Sequence, residues 1–184
     1  MNEHRLEETM SGEAVQEMTQ YLTDKLGDEV FAIDIAKVRE VLDLTTLTKV
    51  PRTPAYMRGV INLRGSVVPV VDMRLKFGMT KTEKTVNTCV IITEVTVEGD
   101  TTVLGVLADS VQEVIGLESG SIAPAPKIGT KLNNEFIQGM GKKDDAFIII
   151  FDIDKIFSID ELISVQPGQA EIRAIDEKQA WVVQ

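Results

Sequence analysis

The side chains that ordinarily carry catalysis are scarce in this chain of 184 residues. The only histidine is His4, near the amino terminus, and the only cysteine is Cys89. No Ser–His or Cys–His pair can therefore form within the body of the fold, and no zinc site of cysteine and histidine is expected. Gly139-Met140-Gly141-Lys142 resembles a fragment of a phosphate-cradling loop. It lacks the upstream glycine spacing and the Ser/Thr after the lysine, and reads as a turn. Asp152 and Asp154 are candidate paired carboxylates, but acids are favoured at a helix start by the dipole, and Asp152 reads as an N-cap. Asp144-Asp145 reads as a solvated turn, and Cys89, between Thr88 and Val90, as a buried strand residue. No catalytic residue, cofactor or metal is expected.

Composition narrows the remaining classes. With 43% hydrophobic residues and 5% aromatics, the chain reads as soluble and globular, one domain or two small ones sharing a core. No apolar run approaches the roughly 18–20 residues of a membrane-spanning helix. The polar, acidic amino terminus has no signal-peptide core, which points to the cytoplasm. A net charge of −10 argues against generic binding to nucleic acid or anionic membrane. The segment from Lys37 to Lys84 nevertheless carries ten Lys/Arg against four Asp/Glu. That excess reads either as a basic docking surface or as solvated faces, since long basic stems also cover apolar surface.

The elements that must position these residues are short. Residues 1–15 read as a tail. Thr19–Thr23 and Val30–Ile33 read as strands around Gly27-Asp28. Asp34 caps a helical turn through Lys37, and the chain is extended again near Glu40–Leu44. Thr45–Val50 is β-branched and strand-like until Pro51 and Pro54 break it. Asp72–Phe77 forms a short turn ending at Gly78, and Met79–Glu83 is a polar linker. A hairpin around Gly99-Asp100, a strand over Val111–Leu117 and a long connection from Pro124 to about Glu135 follow. Ala146–Phe151 is an apolar strand expected to be buried on both faces, leading into a helix with Ile153, Ile156 and Phe157 on one side. Beyond Gln166 the chain is polar, with Trp181 nearly alone. The expected division is a tail over 1–15, a first subdomain over 16–80, a second over 81–163 and a tail over 164–184, with strands free to cross. Many short strands separated by turns argue for barrels over a parallel α/β sheet.

The most informative stretch runs from Gly59 to Asp72, Gly-Val-Ile-Asn-Leu-Arg-Gly-Ser-Val-Val-Pro-Val-Val-Asp. Two apolar runs flank a polar corner, as in a tight turn between two strands. Gly65 can take a positive φ there, and Asn62 is placed to fix the turn by hydrogen bonding the backbone. Pro69 removes a ladder donor, which places its strand at an edge or bulge. With Pro54-Ala55 ahead of it, this stretch resembles the Asn-Leu-Arg-Gly region of the CheW family, bacterial chemotaxis adaptors. Tyr21–Glu29, Ile33–Val41, Gly105–Val114, Ile122–Pro126 and Phe136–Gly141 are similar to further blocks of that family, in the same order. The resemblance covers about Gln20 to Leu162.

The resemblance implies a mainly β fold of two small SH3-like β-barrels packed together, with short helices including one near the C-terminal end. It implies a non-catalytic adaptor that couples methyl-accepting chemoreceptors to the regulatory domain of the histidine kinase CheA, cytoplasmic and recruited to membrane-associated receptor arrays. Chemotaxis and pilus-motility control are not separated by sequence. The alternative is a small-molecule (purine)-binding or enzymatic β-barrel, for which no nucleotide motif is present. Glu40 and Arg64 match family positions that form an ion pair near the receptor groove, read either as presenting that groove or as a structural tie. Val38, Gly59, Cys89, Val111 and Val114 match positions in or near the same groove, though by themselves they read as core. Lys127 and Ile128 fall near the implied kinase contact, and Ile128 reads equally as packed under its loop.

Overall fold

Two-residue turns set the architecture of the computed structural model, which describes residues 17–125 and 134–165. In three hairpins both central residues have positive φ: Arg64-Gly65, Glu98-Gly99 and Asp144-Asp145. That is the type I′ geometry whose twist matches the flanking strands. The strands are β1 (Met18–Leu26), β2 (Glu29–Asp34), β3 (Val38–Asp43), β4 (Met57–Leu63), β5 (Ser66–Asp72), β6 (Cys89–Val97), β7 (Asp100–Ala108), β8 (Ser110–Glu118), β9 (Ile122–Ala123), β10 (Ile137–Lys143) and β11 (Ala146–Phe151). Short helices α1 (Met73–Lys76) and α2 (Ile153–Ile156) follow β5 and β11, and α3 (Ile159–Val165) follows α2. Asp34, Asp72 and Asp152 each accept a backbone N–H at the start of the helical turn that follows, as N-caps do.

The strands form two curled sheets, ordered β8-β1-β2-β11-β10-β9 and β3-β6-β7-β5-β4. One apolar cluster fills each curl: Tyr21, Ala32, Ile115, Leu117, Ile148 and Ile150 in the first, and Ile61, Val68, Val70, Val90, Ile92 and Leu107 in the second. A larger cluster lies between the sheets, with Leu22, Phe31 and Phe151 from one against Val71, Ile91 and Val106 from the other. Phe31 and Phe77 both stack on Phe151, with centroids 4.6 and 4.9 Å away, adding to burial the aromatic contribution of about 0.5–1.5 kcal/mol per pair.

Each sheet draws strands from both halves of the chain. β4-β5-α1 and β10-β11-α2 superpose in sequence at a constant offset of eighty positions. Both hairpins carry the same irregularity, between Met57 and Gly59 and between Ile137 and Gly139. β5 then pairs in parallel with β7, and β11 with β2. The chain is thus two repeats that exchange hairpins: β1-β2 completes the sheet of β8–β11, and β6-β7 completes the sheet of β3–β5. Met79–Glu83 lies on the path from the first repeat to the second.

Four local expectations change. Thr45–Val50 forms only one bridge, Thr48 to Val60, because strand propensity yields to the packing available. β5 is an inner strand. Val60 exchanges both backbone hydrogen bonds with Thr48, at 2.8 and 3.0 Å, so its partner Pro69 owes β4 no N–H. Pairing with β7 begins only at Val70. Gly139–Lys142 is strand, not turn; Gly141 is there because a Cβ would stand 2.7 Å from Leu117 Cδ1. In β11, Ile148, Ile150 and Phe151 are buried but Phe147 is 58% exposed, since pairing with β2 covers only Ile149–Phe151.

Candidate functional site

Glu40 lies on β3 and Arg64 at the tip of the β4–β5 hairpin, so they belong to the two edge strands of one sheet. Arg64 Nη1 and Nη2 donate to Glu40 Oε1 and Oε2 at 2.7 and 3.0 Å. This fork-to-fork contact spans the two edges and closes the curl. Asn62 Oδ1 accepts from the Gly65 N–H at 2.8 Å, fixing the turn that aims Arg64. The Arg64 hydrogen bonds hold the Glu40 carboxyl below its ordinary range, against a smaller opposing effect of burial. Arg64 is 75% exposed at its side chain and Glu40 25%. The pair therefore offers solvent a guanidinium already oriented by its carboxylate.

Val38 precedes Glu40 on β3, pairs with Thr93 and packs against the cluster between the sheets. Gly59 is buried, and a Cβ there would meet Thr48 O at 2.6 Å, in a backbone with φ of 148°. A glycine there permits close backbone approach. Cys89 opens β6 opposite Asp43, at the far end of the β3–β6 pair, roughly 13 Å along the strand from the Val38 partner Thr93 at the usual rise. It is half-buried, with Sγ 3.1 Å from Asn87 O, because the strand begins there and nothing covers its outer side as fully as mid-strand.

Val111 and Val114 lie on β8 of the other sheet. They stand three apart, which in an unbroken strand would point them to opposite faces. A bulge prevents this: Val111 pairs with Asp24 and Val114 with Leu22, leaving Gln112 and Glu113 opposite Thr23. The Thr23 hydroxyl holds the bulge, donating to Glu113 O at 2.8 Å and accepting from Glu113 N at 3.1 Å. Both valines then share the face of Leu22, Val111 against the central cluster and Val114 50% exposed. The structure thus packs Val38 and Val111 against one core, leaves Val114 as exposed apolar surface on the same strand as Val111, and places Cys89 and Gly59 elsewhere in the second sheet. Lys127 and Ile128 lie outside the described residues.

The basic segment is mostly committed. Lys37 pairs with Asp154, Arg39 with Glu94, Arg58 with Asp72, Arg74 with Asp109 and Lys76 with Glu161. Lys49, Arg52, Lys81 and Lys84 have no carboxylate partner among the described residues and are exposed. Arg58 is not a loop residue tolerant of charge reversal, as its neighbourhood to Pro54 suggests. It sits in β4, and its Nη1 lies 2.8 Å from Oδ2 of Asp72, whose side chain is wholly buried. Asp72 also accepts from the Thr82 N–H and hydroxyl and caps α1. The sequence placed a short turn over Asp72–Phe77 but announced neither the cap nor the pairing with Thr82. Lys76 lies over the rings of Tyr56, Phe136 and Phe157 and, with Tyr56, holds Glu161 of α3.

The family of CheW-like domains matches residues 20–161. The chain belongs to the CheW family. It is 34% identical over 156 residues to the chemotaxis protein CheW of Klebsiella aerogenes, covering 85% of this chain and 90% of that one. It is 32% identical to the chemotaxis protein CheW of Helicobacter pylori, over 79% of this chain and 85% of the relative. The crystal structure of the scaffolding protein TtCheW from Thermoanaerobacter tengcongensis superposes with a TM-score of 0.70 at 34% identity, covering 79% of this chain and 91% of that one. The two curled sheets are the two-subdomain β fold of the CheW family.

Proposed function

We propose that this chain is a non-catalytic adaptor that couples methyl-accepting chemoreceptors to the regulatory domain of the histidine kinase CheA in chemotaxis signalling. Membership of the CheW family supports the pathway, and the Glu40–Arg64 fork is the observation that carries the receptor site. It is a bidentate pair between two sheet edges with its arginine turned to solvent; Val38 lies two positions before Glu40 on β3, and Val111 and Val114 supply the apolar rim from the other sheet. Such a surface suits a helical receptor tip that lays apolar residues on the rim and a polar group against the fork. Val114 is the apolar contact on offer, Val38 and Val111 support it, and Gly59 and Cys89 act on the shape of the second sheet. Lys127 and Ile128 remain candidates for the kinase contact. No helix among the described residues is long and apolar enough to cross a membrane. A cytoplasmic adaptor would reach receptor arrays through its protein contacts.

Reconstitution tests this reading. A receptor cytoplasmic fragment and CheA, mixed with and without the chain, should show receptor-dependent kinase stimulation only when the chain is present. Nucleotide hydrolysis by the pure chain, or equal stimulation without it, would overturn the proposal.

A further inference from the structure

The chain crosses between its two sheets once in each repeat, and each crossing is clamped. After β2 the chain passes into the second sheet, and Lys37 Nζ of that crossing lies 2.7 Å from Asp154 Oδ2 on α2. Asp154 Oδ1 also accepts the Thr96 N–H at 2.8 Å, close to the β6–β7 turn. After β7 the chain returns to the first sheet through Asp109, whose Oδ2 lies 2.7 Å from Arg74 Nη1 on α1. The same oxygen accepts the Gly27 N–H at 2.6 Å, in the β1–β2 turn, and the Asp109 N–H donates to Lys25 O at 2.9 Å. The two clamps are counterparts, each joining a helix, a crossing and the end of a hairpin, with the charges interchanged.

They differ in what lies behind them. Counting back from the closing pair of each hairpin, Leu26–Glu29 and Val97–Asp100, the second repeat has Val95, fully buried in the central cluster. The first repeat has Asp24 at that place. Asp24 is 3% exposed, on the core-facing side of β1 between Leu22 and Leu26, and its Oδ1 has no hydrogen-bond partner. A buried carboxyl without a partner is costly, more so if ionised. Of the charged groups around it, Asp109 repels a second negative charge. Arg74 is already engaged by Asp109 and by Thr80 O and Oγ1. Glu113 is turned to Lys143, Lys25 is on the opposite phase of β1, and β2 presents Phe31. The Asp109 clamp borders a cleft of about 420 Å³, lined by Arg74, Thr80, Lys81, Glu83, Thr85 and Asp109.

We propose that the Asp109 crossing is a proton-controlled joint between the two barrels: Asp24 keeps it closed while neutral, and ionisation of Asp24 loosens Arg74 and Gly27 from Asp109 and lets water in through the adjoining cleft. Burial, with the Asp109 charge added, pushes the Asp24 carboxyl up to about 8, so the joint responds near neutral pH. An ionised Asp24 would set a second negative charge against Asp109, the partner of Arg74 and Gly27. The Asp154 clamp, backed by Val95, has no such trigger and stays closed.

Amide hydrogen exchange, corrected for the intrinsic pH dependence of exchange, reads each clamp separately. Between pH 6 and pH 9 the protection of the Gly27 and Asp109 amides should fall at least tenfold further than that of Thr96, which follows only the change in global stability. Asp24→Asn should keep Gly27 protected across the range. Parallel loss at Gly27 and Thr96, or an unchanged profile in Asp24→Asn, would overturn the proposal. If that variant does not fold, carboxyl-carbon NMR of the unmodified chain decides. Titration of Asp24 between pH 7 and 9 supports the joint, and titration near pH 4 sinks it.

Discussion

Arg74 and Asp154 hold the same place in the two halves of the chain, one cationic and one anionic, and each ties a crossing between the barrels to the helix that follows a parallel strand. An exchange of sign keeps each clamp complementary within itself. It also makes a wrong pairing of helix and crossing repulsive, because Arg74 against Lys37, or Asp154 against Asp109, would set like charges together.

Arg64→Ala should leave the fold intact and remove receptor coupling. The fork lies at the surface, where ion pairs add little to stability, so thermal unfolding should stay close to that of the unmodified chain while receptor-dependent stimulation of CheA falls steeply. Exchanging the partners, as Glu40→Arg with Arg64→Glu, should restore closure of the curl but not coupling. Recovered coupling in the exchanged protein would make the pair a structural tie.

Val114→Ser separates binding surface from core. At 50% exposure the change should alter stability by no more than about 0.5 kcal/mol, yet weaken binding to a receptor fragment measured by calorimetry. Val111→Ser, against the central cluster, should instead cost about 1–3 kcal/mol. Equal binding by Val114→Ser and the unmodified chain would remove β8 from the docking surface.

Arg52 and Arg58 should part company. Arg52→Glu, at an exposed turn, should fold normally and slow association with an acidic partner at low salt, an effect that added salt erases. Arg58→Glu should lower stability by about 3 kcal/mol or more, since it leaves Asp72 buried opposite a like charge. Denaturant unfolding of the two variants checks both statements.

Gly59→Ala should destabilise by more than about 1 kcal/mol, because both the φ and the approach of Thr48 O exclude a Cβ. Unfolding midpoints compared with those of Gly120→Ala, where a Cβ would meet nothing, test it. Similar losses in both would argue against a special role for the approach.

Global stability should fall as pH rises from about 4 to about 8 and then level off. The native state keeps on Asp24 a proton that the unfolded chain gives up near its ordinary value of 3.8, and releases it only at about 8. The contribution is complete below pH 4 and lost through the folded value, by about 6 kcal/mol. Urea titrations across this range, with Asp24→Asn flat by comparison, measure it. The Glu40 carboxyl is held below its ordinary range, so docking is followed in the neutral part of the window, where the Glu40–Arg64 fork is charged.

Much of this fold is legible from residue patterns because its signals are local. The Gly27-Asp28 and Arg64-Gly65 turns, the caps Asp34 and Asp152, and the Asn62 contact to Gly65 each depend on neighbours within a few positions. What stayed hidden depends on distant pairings. Pro69 suggested an edge or a bulge, yet its missing N–H is harmless in an inner strand because Thr48 occupies Val60 from the other side and pairing with β7 begins at Val70. Gly139 and Gly141 suggested a turn, yet they make room for β9 and for Leu117. Val111 and Val114 share a face only because Thr23 holds a bulge ninety residues away. The Glu40–Arg64 pair was found through family resemblance, as spacing alone does not show that two edge strands meet.

The exchange of hairpins between the repeats also governs how the chain can come into being. The β1–β2 hairpin forms early, but its parallel partner β11 is made more than a hundred residues later, and the first barrel cannot close until then. Contacts so distant in sequence slow folding and leave sheet edges open in the meantime. Cutting the chain at the linker between the repeats would therefore yield two fragments with unpaired edges rather than two barrels. Mixed together, those fragments would have every strand needed to rebuild both.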